Sequence, residues 1–162
     1  MLVAAPNVRK RSSARGFTLI ELVTVVALLG LLASLAAPGM RSLIQAQRLR
    51  SASYDLTADL ILARSEALKR GTDVELVPTG GDWKSGWTVQ VASPVVQLAQ
   101  HGALGNGIAA SSDPVGNVTF NASGRVTSSA AMVSFSLSNE IGGIRCVRLD
   151  LSGRPKSIPT SC

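Results

Sequence analysis

The chain has 162 residues, 46% of them hydrophobic but only 4% aromatic, and a net charge of +6. That length suits one modest domain with an appendage. Arg9, Lys10, Arg11 and Arg15 supply four of the positive charges, and from Phe17 onward 12 Lys and Arg face 10 Asp and Glu, a net of +2. Most of the basic character therefore belongs to the leader, and the chain without it is only mildly basic.

The apolar excess is equally local. In RGFTLIELVTVVALLGLLASLAAPGM, from Arg15 to Met40, the 21 residues Phe17 to Ala37 contain a single charge. A helix of roughly 20 residues crosses a bilayer, and a basic leader before it stays on the cytoplasmic side. A secretory signal peptide has its small-residue cleavage site after the apolar core, whereas Gly16 stands before it. Glu21 is the second anomaly, because an unpaired ionised carboxylate in hydrocarbon costs several kcal/mol or more. An ordinary anchor explains neither residue.

Gly16-Phe17-Thr18-Leu19-Ile20-Glu21 resembles the type IV pilin signal G-F-T-L-x-E. The resemblance implies that a prepilin peptidase cuts after Gly16 and methylates the new N-terminal Phe17. It also implies that Pro38 bends the helix, and that such helices pack into a filament core. There Glu21 would pair with the N-terminal amine of a neighbouring subunit. Proteolysis then creates the partner charge, and the two groups attract strongly in low dielectric. The plainer alternative is a Glu21 that faces water at the interface or is protonated.

Beyond Pro38-Gly39, expected to interrupt the helix because Pro lacks the donor, Leu49, Ala52, Leu56, Leu60, Ala63 and Ala67 recur at helical spacing. They form one apolar stripe. Arg48, Arg50, Asp55, Asp59, Arg64 and Glu66 fall off it. Lys69 and Arg70 suit the negative helix end, and Gly71 a stop. A helix from Phe17 to Arg70 would be about 80 Å long.

From Thr72 the period becomes two. Strands are expected over 74–77, 87–91, 95–98, 117–121, 132–137 and 144–151, separated by turn signals such as Thr79-Gly80-Gly81-Asp82 and Gly142-Gly143. The stretch Gly102 to Gly116, rich in Gly, Ala and Ser, reads as a mobile loop. The expected fold is α+β, a long N-terminal helix packed on an antiparallel sheet, and the resemblance implies that it is pilin-like. The expected organisation is a cytoplasmic leader over 1–16, a membrane or filament-core helix over 17–37, its amphipathic half over 38–71, and an extracytoplasmic β-rich domain over 72–162.

DLILARSEALKRGTDVELVP, WKSGWTVQV and VTFNASGRV are similar to the GspH/FimT branch of pilin-like proteins, the minor pilins and minor pseudopilins. Trp83 and Trp87 read as packing residues. Cys146 and Cys162 are too few for a structural zinc site, and in an extracytoplasmic domain a disulfide is the default. It would close a loop of roughly 17 residues and contribute about 3 kcal/mol in the chain-entropy picture, pinning the C-terminal tail. Two free thiols are the alternative.

Inside that loop runs Ser152-Gly153-Arg154-Pro155-Lys156, with Arg145 and Arg148 nearby and Asp150 the one acid between the cysteines. FimT-like minor pilins carry a G-R-x-R pattern implicated in DNA binding. Gly153 and Arg154 match it, and Lys156 replaces the second Arg, keeping charge but losing the bidentate fork. The resemblance thus points to weak contacts with double-stranded DNA through Arg145, Arg148, Arg154 and Lys156. An ordinary charged hairpin is the competing reading. No aromatics interleave these charges, so stacking on single strands is not expected.

Catalysis finds no support: His101 stands in the flexible Gly/Ala region, beside the expected loop, without a nucleophile motif, and no glycine-rich phosphate loop follows a strand. No catalytic residue, metal or cofactor is expected. The expected partners are prepilin peptidase, other pilin or pseudopilin subunits, the inner membrane and double-stranded DNA. The expected location is the inner membrane, single-pass, with the leader cytoplasmic and the C-terminal domain periplasmic, before incorporation into a filament. The resemblance implies a minor type IV pilin that contributes to pilus assembly, with a minor pseudopilin of a type II secretion filament as the alternative.

Overall fold

The computed structural model describes residues 16–127 and 132–162. The basic leader lies outside the described residues, as does the side chain of Pro38. One helix, α1, spans Leu19–Arg70. It starts two residues later than the apolar run because Thr18 is its cap. The Glu21 backbone N–H donates to Thr18 Oγ1 at 3.2 Å, which makes Thr18-Leu19-Ile20-Glu21 an N-terminal T-x-x-E pattern. Glu21 in the first turn also faces the positive end of the helix dipole.

The helical assignment continues through Pro38, where an interruption was expected. The chain nevertheless divides there into two compact units, one ending at Gly39 and one running from Met40 to Cys162. In the first unit the large apolar side chains from Leu19 to Leu35 are 47–81% exposed. No single helix among the described residues is long and apolar enough to cross a membrane, and Leu19–Leu35 meets that condition only together with the residues from Gly39 onward. At 1.5 Å per residue that stretch reaches about 25 Å, against a hydrocarbon core of about 30 Å.

In the second unit the expected stripe is the core face of α1. Leu49, Ala52, Leu56, Leu60, Ala63 and Ala67 are all buried. Gly71, at φ +64°, ends the helix, and its N–H bonds the Ala67 carbonyl at 2.9 Å; this left-handed step suits glycine. Arg70 Nε lies 2.6 Å and Lys69 Nζ 3.5 Å from the Glu66 carboxylate. The Arg70 hydrogen bond foremost, with Lys69, holds the Glu66 carboxyl below its usual range.

Eight strands follow: β1 (Val74–Pro78), β2 (Trp87–Val91), β3 (Val96–His101), β4 (Ile108–Asp113), β5 (Val118–Phe120), β6 (Met132–Asn139), β7 (Ile144–Asp150) and β8 (Pro155–Ile158). They form two antiparallel four-stranded sheets rather than one, ordered β3-β2-β1-β5 and β4-β6-β7-β8. The expectation of a loop over Gly102 to Gly116 is corrected by β4, which pairs with β6 from Ile108↔Asn139 to Asp113↔Ser134. Its middle is Ala-Ala-Ser-Ser, residues with little β propensity of their own, and cross-strand pairing supplies what propensity does not. The second addition, β8, lies within the tail and opens on Pro155, a position at the strand start and sheet edge that proline tolerates.

One apolar cluster joins the helix stripe to both sheets through Val74, Leu76, Val89, Phe120, Phe135, Leu137 and Leu149. Trp87 donates its indole N–H to Asp59 Oδ2 on α1 at 2.8 Å. Trp83 donates to Ser112 Oγ of β4 at 2.9 Å and meets the edge of Phe135 at 4.8 Å. Both tryptophans are packing residues, as expected.

Candidate functional site

Two stretches carry the residues singled out in the sequence. The first is the helix start. Gly16 and Phe17 precede α1, and the Phe17 side chain is 86% exposed. Glu21 is exposed as well. Among the described residues its carboxylate has no ion pair, and carrying an unpaired carboxylate into an apolar environment is costly.

The second is the C-terminal tail, in which Cys146 and Cys162 form a disulfide with Cα atoms 5.1 Å apart. It ties the chain terminus to β7, next to β8. The turn between those strands is organised by Asp150. Its Oδ1 accepts from Ser152 Oγ at 2.5 Å and from the Arg154 backbone N–H at 3.3 Å, and its carbonyl accepts from the Gly153 N–H at 2.9 Å. The Ser152 hydroxyl foremost, then the Arg154 backbone, holds the Asp150 carboxyl below its usual range. Asp150 is thus more than the one acid between the cysteines: an Asp two residues before Ser-Gly is a turn signal.

Gly153 is buried in this turn at φ +76°. A Cβ there would stand 2.3 Å from the Gly124 carbonyl oxygen. The same oxygen accepts from Arg64 Nε of α1 at 3.0 Å. The turn at Gly124-Arg125 is itself fixed by Asn121 Oδ1, which accepts from the backbone N–H groups of Ser123 and Arg125. The glycine of the tail motif is thus a packing contact among a helix and two turns.

The four basic residues do not converge. Arg148 and Lys156 are directly opposite one another in the β7–β8 register, so they share a face of the sheet, and Arg154 is exposed at the adjoining turn. Arg148 Nη2 also donates to the Cys162 carbonyl at 3.1 Å, which braces the tail with part of its bonding capacity. Arg145 stands three residues from Arg148 in β7, and strand alternation places it on the opposite face. It lines a cleft with Arg50, Ile141 and Pro159 instead. The expected four-residue cluster is therefore three residues plus one facing elsewhere.

His101 is not in a loop. It ends β3, stacks on Trp87 with ring centroids 4.3 Å apart and planes 10° apart, and places Nε2 3.5 Å from Asp55 Oδ2. That is a packing role against α1, which the spacing of Trp87 and His101 on unpaired segments could not reveal. Among the described residues no group of three or more His, Cys, Asp or Glu could hold a metal ion.

Comparison with known proteins matches this architecture. A family model described as Type II transport protein GspH matches residues 52–153, and one described as Prokaryotic N-terminal methylation motif matches residues 11–37. The type II secretion system protein H of Xanthomonas campestris pv. campestris is 41% identical over 69 residues, which cover 43% of this chain and 40% of that protein. The match thus spans about two fifths of the curated relative. The crystal structure of the type IV minor pilin FimU of Pseudomonas aeruginosa superposes with a TM-score of 0.61 at 24% identity, covering 70% of this chain and 90% of that one. The minor pseudopilin EpsH from the type 2 secretion system of Vibrio cholerae gives a TM-score of 0.55 at 14% identity, covering 69% and 97%. These two structures share the fold. With a family model spanning more than half of the residues and a methylation motif at the helix start, the chain belongs to the GspH/FimT family of pilin-like proteins.

Proposed function

We propose that the chain is a minor subunit of a type IV filament. It is first held in the inner membrane by residues 17–37, with the leader cytoplasmic and the β-rich domain periplasmic. Prepilin peptidase then cleaves it after Gly16, and it joins other pilin subunits. The observation that carries this reading is the exposed apolar stretch Leu19–Leu35 directly behind Gly16-Phe17. A continuous apolar surface of that size needs a lipid or protein environment. Glu21 is the group that favours protein over lipid, since the amine of a cleaved neighbour neutralises it at low dielectric. Glu21→Ala is accordingly expected to leave cleavage largely intact and to deplete the subunit from sheared filaments. Normal amounts of the variant in that fraction would contradict the pairing.

The pilus branch is our preferred reading, supported by the disulfide-pinned G-R-x-K tail. The second reading, a minor pseudopilin of a type II secretion filament, is favoured by the 41% identity to a type II secretion protein H. The tail discriminates between them. Arg148, Arg154 and Lys156 would bind duplex DNA through phosphates alone. Three phosphate contacts imply a fall in log K of about 2.7 per tenfold rise in salt, with little sequence preference and a Kd on the order of 10⁻⁴–10⁻⁶ M. Arg145 takes no part in this reading. Fluorescence anisotropy of the full chain in detergent, titrated with salt, checks it. Arg154→Ala/Lys156→Ala should lose most binding, while Arg145→Ala should not. If the wild type does not bind at low salt, the secretion-filament reading becomes the preferred one.

A further inference from the structure

The displaced Arg145 leads to a site of its own. A cleft of about 330 Å³ opens between α1 and the β6–β7 hairpin. Arg50 from the helix and Arg145 from β7 both line it, with Ala46, Leu49, Ile141 and Ile144 between them and no acidic residue in its wall. Neither guanidinium has an ion-pair partner among the described residues. The nearby acid, Glu140, is turned away: its carboxyl carbon lies 3.4 Å from where a Gly107 Cβ would stand, beside a separate cleft lined by Lys84.

The rim is apolar and exposed. Ile141 is 53% and Ile144 44% exposed at the hairpin tip. Leu43, 67% exposed, stands one turn before Ala46 and two before Arg50 on the same helix face. Two uncompensated arginines framed by exposed aliphatic side chains are the composition of a surface that rests in a lipid interface, with cations at headgroup phosphates and apolar side chains among the acyl ends.

We propose that this end of the β-rich domain docks on anionic phospholipid headgroups through Arg50 and Arg145, with Ile141 and Ile144 inserted beside them. The proposal rests on the membrane-anchored reading above and adds the lipid class. Docking would hold the domain against the bilayer before the subunit leaves it for a filament, and Arg145 would be released from any role in the tail.

The test uses the full chain in nanodiscs of phosphatidylcholine alone or with phosphatidylglycerol, read by amide hydrogen exchange over residues 139–145. Each arginine near an anionic surface multiplies the docked population by about fivefold. The hairpin should therefore exchange about tenfold or more slowly in the anionic discs. Arg50→Ala/Arg145→Ala should abolish the difference, and Arg50→Lys/Arg145→Lys should keep most of it, because a headgroup layer reads charge more than fork geometry. Equal exchange in the two lipids, or protection that survives the double alanine variant, would overturn the proposal. Protection reproduced by inorganic phosphate in phosphatidylcholine discs would also overturn it, marking a free-anion site instead. A chain that does not remain with the discs defeats the anchoring reading as well, whereas retention without hairpin protection defeats this proposal alone.

Discussion

Trp87→Ala should destabilise the Met40–Cys162 unit by about 3–5 kcal/mol, the range for deleting a buried aromatic side chain. The ring is 1% exposed and sits where α1 meets the first sheet. It pairs in register with Pro78 of β1 and His101 of β3, stacks on the His101 ring and bonds Asp59 on the helix. Truncation leaves a cavity among these elements and removes the one indole bond that crosses to α1. Typical domains have a total stability of 5–15 kcal/mol, so a large share is lost. Trp87→Phe retains most of the burial and gives up mainly the hydrogen bond, a loss of about 1–2 kcal/mol. Urea unfolding followed by circular dichroism measures both. A midpoint for Trp87→Ala no lower than that of Trp87→Phe would show that the ring is not a core contact.

The second large effect is expected at Gly153. An alanine there meets two separate penalties. A side chain in the left-handed region costs about 1–2 kcal/mol. The new Cβ, 2.3 Å from the Gly124 oxygen, also forces apart a backbone contact that Arg64 already braces, an overpacking cost of about 1–3 kcal/mol. Together these predict a loss of roughly 2–5 kcal/mol. Gly142 supplies the control. Its φ is +84°, yet a Cβ there meets nothing within 4 Å, so Gly142→Ala should lose the backbone penalty alone. Thermal unfolding of the pair separates the contributions, and equal losses would mean that the three-way contact at Gly124 is absent. The outcome also bears on the tail motif, since it assigns the glycine to packing and leaves any DNA contact to the cations beside it.

The helix stripe was legible because Leu49 to Ala67 repeat at helical spacing against charged neighbours, a contrast that needs no tertiary information. The signal at Gly16 to Glu21 was legible for a similar reason: residue order alone separates it from a secretory peptide. β4 was hidden because Ala109 to Ser112 are small and carry little propensity, and β6, which makes it a strand, lies some 25 residues away in sequence. β8 was hidden by Pro155 and by its four-residue length.

The tail shows a different failure. Arg145 and Arg148 are close in sequence, yet both fall within the expected strand over 144–151. Odd spacing in a strand sends side chains to opposite faces, so the sequence contained the answer. His101 depended on packing: its ring partner Trp87 and its neighbour Asp55 come from separate elements, and only their assembly turns an apparent loop residue into a stacked one. The count of two sheets could not be read either, because strand order depends on pairings that local pattern does not encode.

The central claim is that Phe17 becomes the N-terminus of an assembled subunit. Intact-mass spectrometry of the protein in sheared filaments measures this directly. The account predicts a chain that begins at Phe17 with one added methyl group, present in the filament fraction and absent from it when prepilin peptidase is missing. A subunit that retains its first 16 residues in filaments, or a mature terminus after Ala37, would contradict it.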